Sequence, residues 1–208
     1  VKQPILIFDP IEKYQVNKFF KYNLIPSVST KEHLNILLTE KSKLKSNKKI
    51  SVHIKIDTGM NRLGVDYSES INFIQKISLN KNFVIDGIFT HFASSDEVGS
   101  DYAKLQINRF YKIIEELKAE NIDYGLAHAA NSGAIIDFPD AYYDMVRPGI
   151  SLYGYYPSLQ TSESIKLYPV MSLVSKVSTV KKIKQGESVS YSRRYFTKNE
   201  TKIISVPI

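Results

Sequence analysis

A chain of 208 residues, 43% hydrophobic and 24% charged, can bury a real core and reads as soluble and globular. The absence of cysteine excludes disulfides, thiolate metal sites and cysteine nucleophiles, and fits a reducing cytoplasm. The formal net charge of +7 would suit an anionic partner, but much of it lies in Lys41, Lys43, Lys45, Lys48 and Lys49, a solvated helix end and loop. No zinc-finger, RNA-recognition or helix-turn-helix signature accompanies that charge, so no nucleic-acid partner is expected. No apolar run approaches the roughly 20 residues of a membrane helix, and the opening VKQPILIFDP is not a signal peptide, so no membrane partner is expected either.

Residues 4–8, PILIF, read as a short buried strand closed by Asp9-Pro10, followed by a helix over 11–22 with Ile11, Tyr14, Val16 and Phe19 at helical spacing. Residues 24–28 are a second strand. Thr30 is an N-cap for a helix with Leu34, Leu37 and Leu38 on one face. The stretch 51–65, SVHIKIDTGMNRLGV, organises what surrounds it: Val52, Ile54 and Ile56 alternate with His53, Lys55 and Asp57, then a glycine turn carries Arg62 beyond the strand's carboxyl end. Lys55 inside an apolar strand needs partners or chemical modification, unless it snorkels out at the strand end. A helix over 68–77, a strand over 83–92 and a long helix over 102–120 come next. A short strand over 124–127 ends on His128, Asn131-Ser132 opens a short helix, and 145–152 supplies one more strand. About six strand–helix units at this spacing predict an α/β fold, a partial TIM-type β/α barrel over residues 1–168.

After Pro169 the texture changes. Residues 170–180 alternate, 181–187 form a polar turn, 188–196 alternate again, and 201–208 end inside an apolar strand pattern. This is the start of a second, all-β domain over 169–208. A β/α barrel closes with about eight strands, more than are visible, and the first methionine is Met60; both predict the middle of a longer protein.

The chemistry gathers at strand ends, where parallel α/β proteins bind ligands. His91 and His128 each terminate a strand. His33 reads as a surface or packing residue, and His53 has no evident role. No histidine pair has metal-ligand spacing, so no metal is expected. Asn131-Ser132 and Gly149-Ile150 offer the backbone N–H groups and hydroxyl of an anion site, with Arg147 beside them to hold a charge or face a ring nitrogen. Tyr191, in VSYSRRY, could serve as an acid or base if nearby cations such as Arg193 and Arg194 lower its pKa.

KIDTGMNRLG, THFASSDE, HAANS, MVRPGISLYG and VSYSRRY, in this order, resemble alanine racemase, a pyridoxal-phosphate enzyme of the β/α-barrel fold type. The resemblance implies interconversion of L- and D-alanine by two-base proton transfer, supplying D-alanine for peptidoglycan, in a cytoplasmic head-to-tail homodimer. It implies that Tyr191 is one catalytic base, contributed to the other subunit's site, and that His128 hydrogen-bonds it. Arg147 would face the pyridine nitrogen, His91 lie beside the ring, and Ser132 with the backbone of Gly149 and Ile150 hold the phosphate, supported by Asn131. Arg62 would lie near the cofactor's phenolic oxygen and the substrate carboxylate, and Lys55 matches a lysine that is carbamylated in many members.

The family's second base, the cofactor-linking lysine in a V-K-A-N-A-Y-G-H-type motif, has no counterpart in these residues, and Lys55 sits in a different motif. Residues 1–208 by themselves are therefore expected to be inactive. The serine and arginines after Tyr191 replace the small residues common there. Alternatives are a barrel-only pyridoxal-phosphate homeostasis protein, against which the β-domain argues, a racemase of another small amino acid such as serine, and a racemase-like dimerisation module without turnover.

Overall fold

The architecture, a computed structural model describing residues 3–45 and 47–208, is built outward from one strand. β3 (Ile50–Asp57) is buried along nearly its whole length. Val52, Ile54 and Ile56 on one face join a core with Phe73, Ile74 and Ile77 of helix α3 (Ser70–Ser78) and with Phe110, Ile113 and Leu117 of helix α4 (Asp101–Ala119). Each such side chain, fully buried, contributes roughly 1.5–3 kcal/mol. His53 and Lys55 on the other face are buried too, as in a strand covered on both sides.

Around β3 the strands are parallel and lie in chain order: β1 (Ile5–Pro10), β2 (Leu24–Val28), β3, β5 (Phe83–Phe89), β6 (Leu126–His128). The two-residue β4 (Val65–Asp66) pairs with the end of β3. Adding each strand at the same edge is barrel-type succession; a doubly wound sheet would reverse direction. Helices α1 (Val16–Tyr22), α2 (Lys31–Lys43), α3 and α4 connect the strands, and α5 (Ser132–Asp137) follows β6. The Thr30 side chain accepts from the His33 N–H and caps α2, while the His33 ring accepts from Ser29 N–H.

Two expectations for this part fail. α1 begins at Val16, not at 11: Ile11 is buried, but Tyr14 is 75% exposed and the residues before Val16 form turns. Residues 145–152 are not a strand. Asp144 and Arg147 donate to the carbonyls of Ala127 and Ala130, and Met145 bridges to His128. Pro148 then removes a donor, and the chain winds into a 3-10 turn, Ile150–Tyr153.

The chain divides into two compact units, Val1–Tyr168 and Pro169–Ile208. The second pairs β7 (Thr179–Ile183) with β10 (Thr201–Ser205) and β8 (Ser188–Val189) with β9 (Tyr195–Phe196), both antiparallel. The expected strand over 170–180 is reduced to its last residues. Ser178 still donates to Ser205, but Pro207 in the facing segment has no N–H with which to extend the ladder. The polar turn begins only after Ile183. The expected strand over 188–196 is broken by a tight turn at Tyr191–Arg193.

Candidate active site

The carboxyl ends of β1, β3, β5 and β6 surround a cleft of about 280 Å³, walled by Phe8 and Phe89 and lined by Lys55, Arg62, His91, Asn131, Ser132, Arg147, Pro148 and Gly149. Three of these residues are cationic and none is acidic, so the cleft attracts anions.

Local chemistry delivers each group. Asp57 closes β3 by accepting from the N–H groups of Gly59 (2.9 Å) and Asn61 (3.1 Å), which turns the chain and carries Arg62 to the cleft. Gly64, at φ +136°, lets the chain return against the strand end; a Cβ there would lie 2.6 Å from the Asp57 nitrogen. Lys55, in register with Phe89, has its ammonium 5.7 Å from that ring's centre. Burial, then the charges of Arg62 and Arg147, pull the Lys55 ammonium below the usual lysine range.

Arg147 is the fixed point of the site. Its NH2 donates to the carbonyls of Thr90 (2.8 Å) and Ala129 (2.9 Å), with His91 Nδ1 further off at 3.4 Å. Its NH1 meets His128 Nδ1 at 2.6 Å. The guanidinium lies over both Phe8 and Phe89, 5.6 and 5.5 Å from the ring centres. Burial draws it down to about 10, still protonated at neutral pH. His91 is driven to about 4 by burial and then by Arg147, Lys55 and Arg62, so it enters the site as a neutral imidazole.

Ser132 ties the far wall together. Its oxygen accepts from Gly149 N–H (2.8 Å) and shares its other lone pair between Ser151 N–H (3.3 Å) and the Ser151 hydroxyl (3.2 Å), which leaves its own O–H to donate. A Cβ on Gly149 would project into this wall, 3.7 Å from Ser132 Oγ, in space a side chain would fill. Asn131 caps α5 through Ala134 N–H and accepts from Ser95. Ile150, 46% exposed, opens the 3-10 turn directly after the Gly149 wall.

His128 ends β6 and turns away from the cleft. It is fully buried behind Arg147, stacked on Phe89 with ring centres 4.8 Å apart, and both ring nitrogens are engaged, one by Arg147 and the other by His53 Nδ1 at 2.9 Å. Both ring nitrogens of His128 thus find their partners within the barrel unit. The histidine open to the cleft is His91. Sequence reasoning also missed His53, although it lies two residues from Lys55 on an alternating strand and so shares its face. Phe8 and Phe89 were likewise read only as strand residues.

Tyr191 belongs to the second unit. Its side chain is 96% exposed, and Ser190, Ser192 and Arg193 around it take φ values of 59°, 60° and 49°. Positive φ at three of four successive non-glycine residues is costly and concentrates at functional sites. The Arg193 guanidinium donates to Ser188 Oγ and lies over Phe196.

The family model for the alanine racemase N-terminal domain matches residues 1–157, and that for the alanine racemase C-terminal domain matches residues 170–208. An alanine racemase of Carboxydothermus hydrogenoformans is 41% identical over 210 residues, covering 100% of this chain and 56% of the relative. The solved alanine racemase of E. faecalis superposes with a TM-score of 0.81 at 33% identity, over 100% of this chain and 56% of that one. A histidine racemase of Leuconostoc mesenteroides superposes with a TM-score of 0.73 at 26% identity, over 99% of this chain and 55% of that one. The chain thus spans about half the length of the relatives it matches.

Proposed function

The chain belongs to the alanine racemase family, and on that premise we propose that the whole protein is a pyridoxal-phosphate-dependent racemase interconverting L- and D-alanine, a cytoplasmic homodimer that supplies D-alanine for peptidoglycan. The observation that carries the reading is the cleft itself: three cations, no carboxylate, two aromatic walls and a hydroxyl with a spare proton. That set fits a flat, anionic, phosphate-bearing group. When bound, the cofactor supplies the electron sink that makes an amino acid's Cα proton removable.

The residues divide the work. Ser132 O–H and the loop at Gly149 and Ile150 hold the phosphate, with Asn131 keeping Ser132 in place. Arg147 faces the ring nitrogen. A guanidinium donates a hydrogen bond without surrendering its proton, so it orients the ring and leaves that nitrogen unprotonated. Arg62 binds the substrate carboxylate. Lys55, its amine made less basic by burial and then by Arg62 and Arg147, is suited to carbamylation, which would turn a buried cation into a partner for Arg62. Tyr191 of the partner subunit acts as one base, and His91, neutral and open to the cleft, holds its hydroxyl.

Residues 1–208 contain no cofactor-linking lysine of the family's motif, and alone they are expected not to racemise alanine. Mass measurement after pyridoxal phosphate and borohydride would then find no specific lysine adduct on the 23.7 kDa chain. The deciding experiment is Tyr191→Phe in the full-length protein. Racemisation should fall roughly 10²–10⁴-fold with cofactor binding retained; undiminished turnover would remove Tyr191 from the mechanism, and an unmutated protein without turnover would leave only the dimerisation module. The fold shared with a histidine racemase favours one second reading, a different amino-acid substrate. Racemisation of serine or histidine faster than alanine would establish it.

A further inference from the structure

Behind the cleft a second histidine continues the row that begins at Arg147. An arginine side chain has N–H donors and no acceptor, so His128 Nδ1, 2.6 Å from Arg147 NH1, must accept. The neutral His128 ring therefore carries its proton on Nε2, the atom 2.9 Å from His53 Nδ1. His53 Nδ1 accepts in turn, and its own proton sits on Nε2. Both rings are neutral: burial, followed by Arg147 and His53, holds His128 at about 2, and burial, partly offset by Asp86, holds His53 at about 4. Every proton in the row is thus placed by the chemistry of its first member.

His53 reaches His128 because of a vacancy on the strand between them. The β3–β5 register slips between Val52 and His53 and sets His53 opposite Gly87. A Cβ on Gly87 would lie 2.6 Å from His53 Nδ1 and 2.6 Å from the Leu126 carbonyl oxygen, closer than real side chains approach. The two imidazole centres are 5.1 Å apart, and His53 is only 4% exposed beside a fully buried His128. Solvent does not stand in for either ring.

We propose that His53 is a positioning residue for Arg147: by accepting the Nε2–H of His128 it keeps Nδ1 turned to the guanidinium as an acceptor, with Gly87 as the clearance that lets it reach. The inference rests on the functional reading above only in taking Arg147 as the group that faces the cofactor. Without this acceptor, His128 either buries an unpaired N–H or moves its proton to Nδ1, where N–H would oppose N–H and push the guanidinium out of place.

The test is a ¹⁵N–¹H spectrum of the full-length protein labelled at histidine, with pyridoxal phosphate as the titrated probe. His53 and His128 should each show a protonated Nε2 and a bare Nδ1, unchanged between about pH 6 and 8. His53→Phe should weaken pyridoxal phosphate binding about tenfold, the effect of one spoiled hydrogen bond, and shift the bound cofactor's absorption. His53→Asn, whose Oδ1 stands near the lost Nδ1, should recover most of both. A wild-type His128 protonated on Nδ1 overturns the proposal before any variant is made. So does a His53→Phe protein with unchanged affinity and absorption, for His53 would then be packing alone. If His53→Phe does not fold, His53→Asn decides with the wild-type tautomers: the same His128 tautomer and near-normal affinity support the proposal, and loss of either in a folded protein overturns it. The tautomers are read without turnover. Finding them in a protein that racemises nothing would sink the functional reading and leave this one standing.

Discussion

Ser192 holds a left-handed backbone angle, φ 60°, with a side chain attached, a conformation that costs a non-glycine residue roughly 1–2 kcal/mol. Ser192→Gly is therefore expected to stabilise the second unit by about 1 kcal/mol, read as an upward shift in its thermal midpoint, while loosening the turn that presents Tyr191. Three histidines, two buried and His91 partly so, give the barrel unit its own pH dependence. His53 and His91 fall to about 4 and His128 to about 2, all below the 6.5 of an unfolded histidine. Below about pH 6.5 the unfolded chain therefore binds protons that the folded one refuses, so the stability these groups contribute is present above that pH and lost as pH falls toward 4. Denaturant titrations at stepped pH should show a decline of a few kcal/mol across that window, on the order of what such shifts carry. A flat profile there would mean the rings accept protons in place. At this scale the candidate residues were legible as a group because strand-end arginines, histidines and a serine are unusual together. Which histidine faces the cleft was not legible, since His91 and His128 end their strands alike and differ only in what packs behind them.

Among the elements, α4 does more than cover the sheet. Its Gln106, fully buried, donates to Thr58 Oγ1 and to the His91 carbonyl and accepts from Ala93 N–H at 2.9 Å. Thr58 is in turn hydrogen-bonded to Thr90, and Arg109 donates to the Thr58 carbonyl. The helix thus clamps the ends of β3 and β5 and fixes the loop that carries His91. Gln106→Leu leaves several buried polar groups unpaired and should cost about 2–4 kcal/mol in chemical denaturation. Activity should fall further than folding does, as His91 loses its support. Thr30→Ala makes a comparison at a cap that does not line the cleft: losing it should cost about 1 kcal/mol in chemical denaturation. Caps such as Thr30 and Asn131 could be read in advance because capping is decided within a few residues. The strand expected over 145–152 failed because Pro148 and the hydrogen bonds of the neighbouring β6 end decide that segment, and alternation alone cannot weigh them.

At the scale of the whole molecule, the second unit exposes more apolar surface than a lone β-unit should. Leu173 is 82% exposed, Val174 84% and Val180 61%. Apolar side chains exposed to this degree are expected to be covered in the whole protein, and in the proposed dimer each site is shared. Mixed dimers test the sharing. Tyr191→Phe and Arg147→Ala subunits should each be inactive alone, yet after unfolding and co-refolding, roughly a quarter of wild-type activity should return, because half the dimers then hold one site free of both changes. No recovery would place Tyr191 and Arg147 of the same chain in one site.

By itself the sequence determined the two-faced alternation over 52–57, the glycine that turns the chain after it, the change to β texture past Pro169 and the motif order that marks the family. These are local properties: a period of 2 or 3.6 fixes which face a side chain occupies, and a cap or turn is settled by near neighbours. Only the tertiary structure decided that His128 turns inward, that His53 meets it across Gly87, and that Arg147 is held by the carbonyls of Thr90 and Ala129. Those contacts join residues far apart in the chain and depend on strand register, where a slip of one residue at Val52/His53 changes which side chains meet.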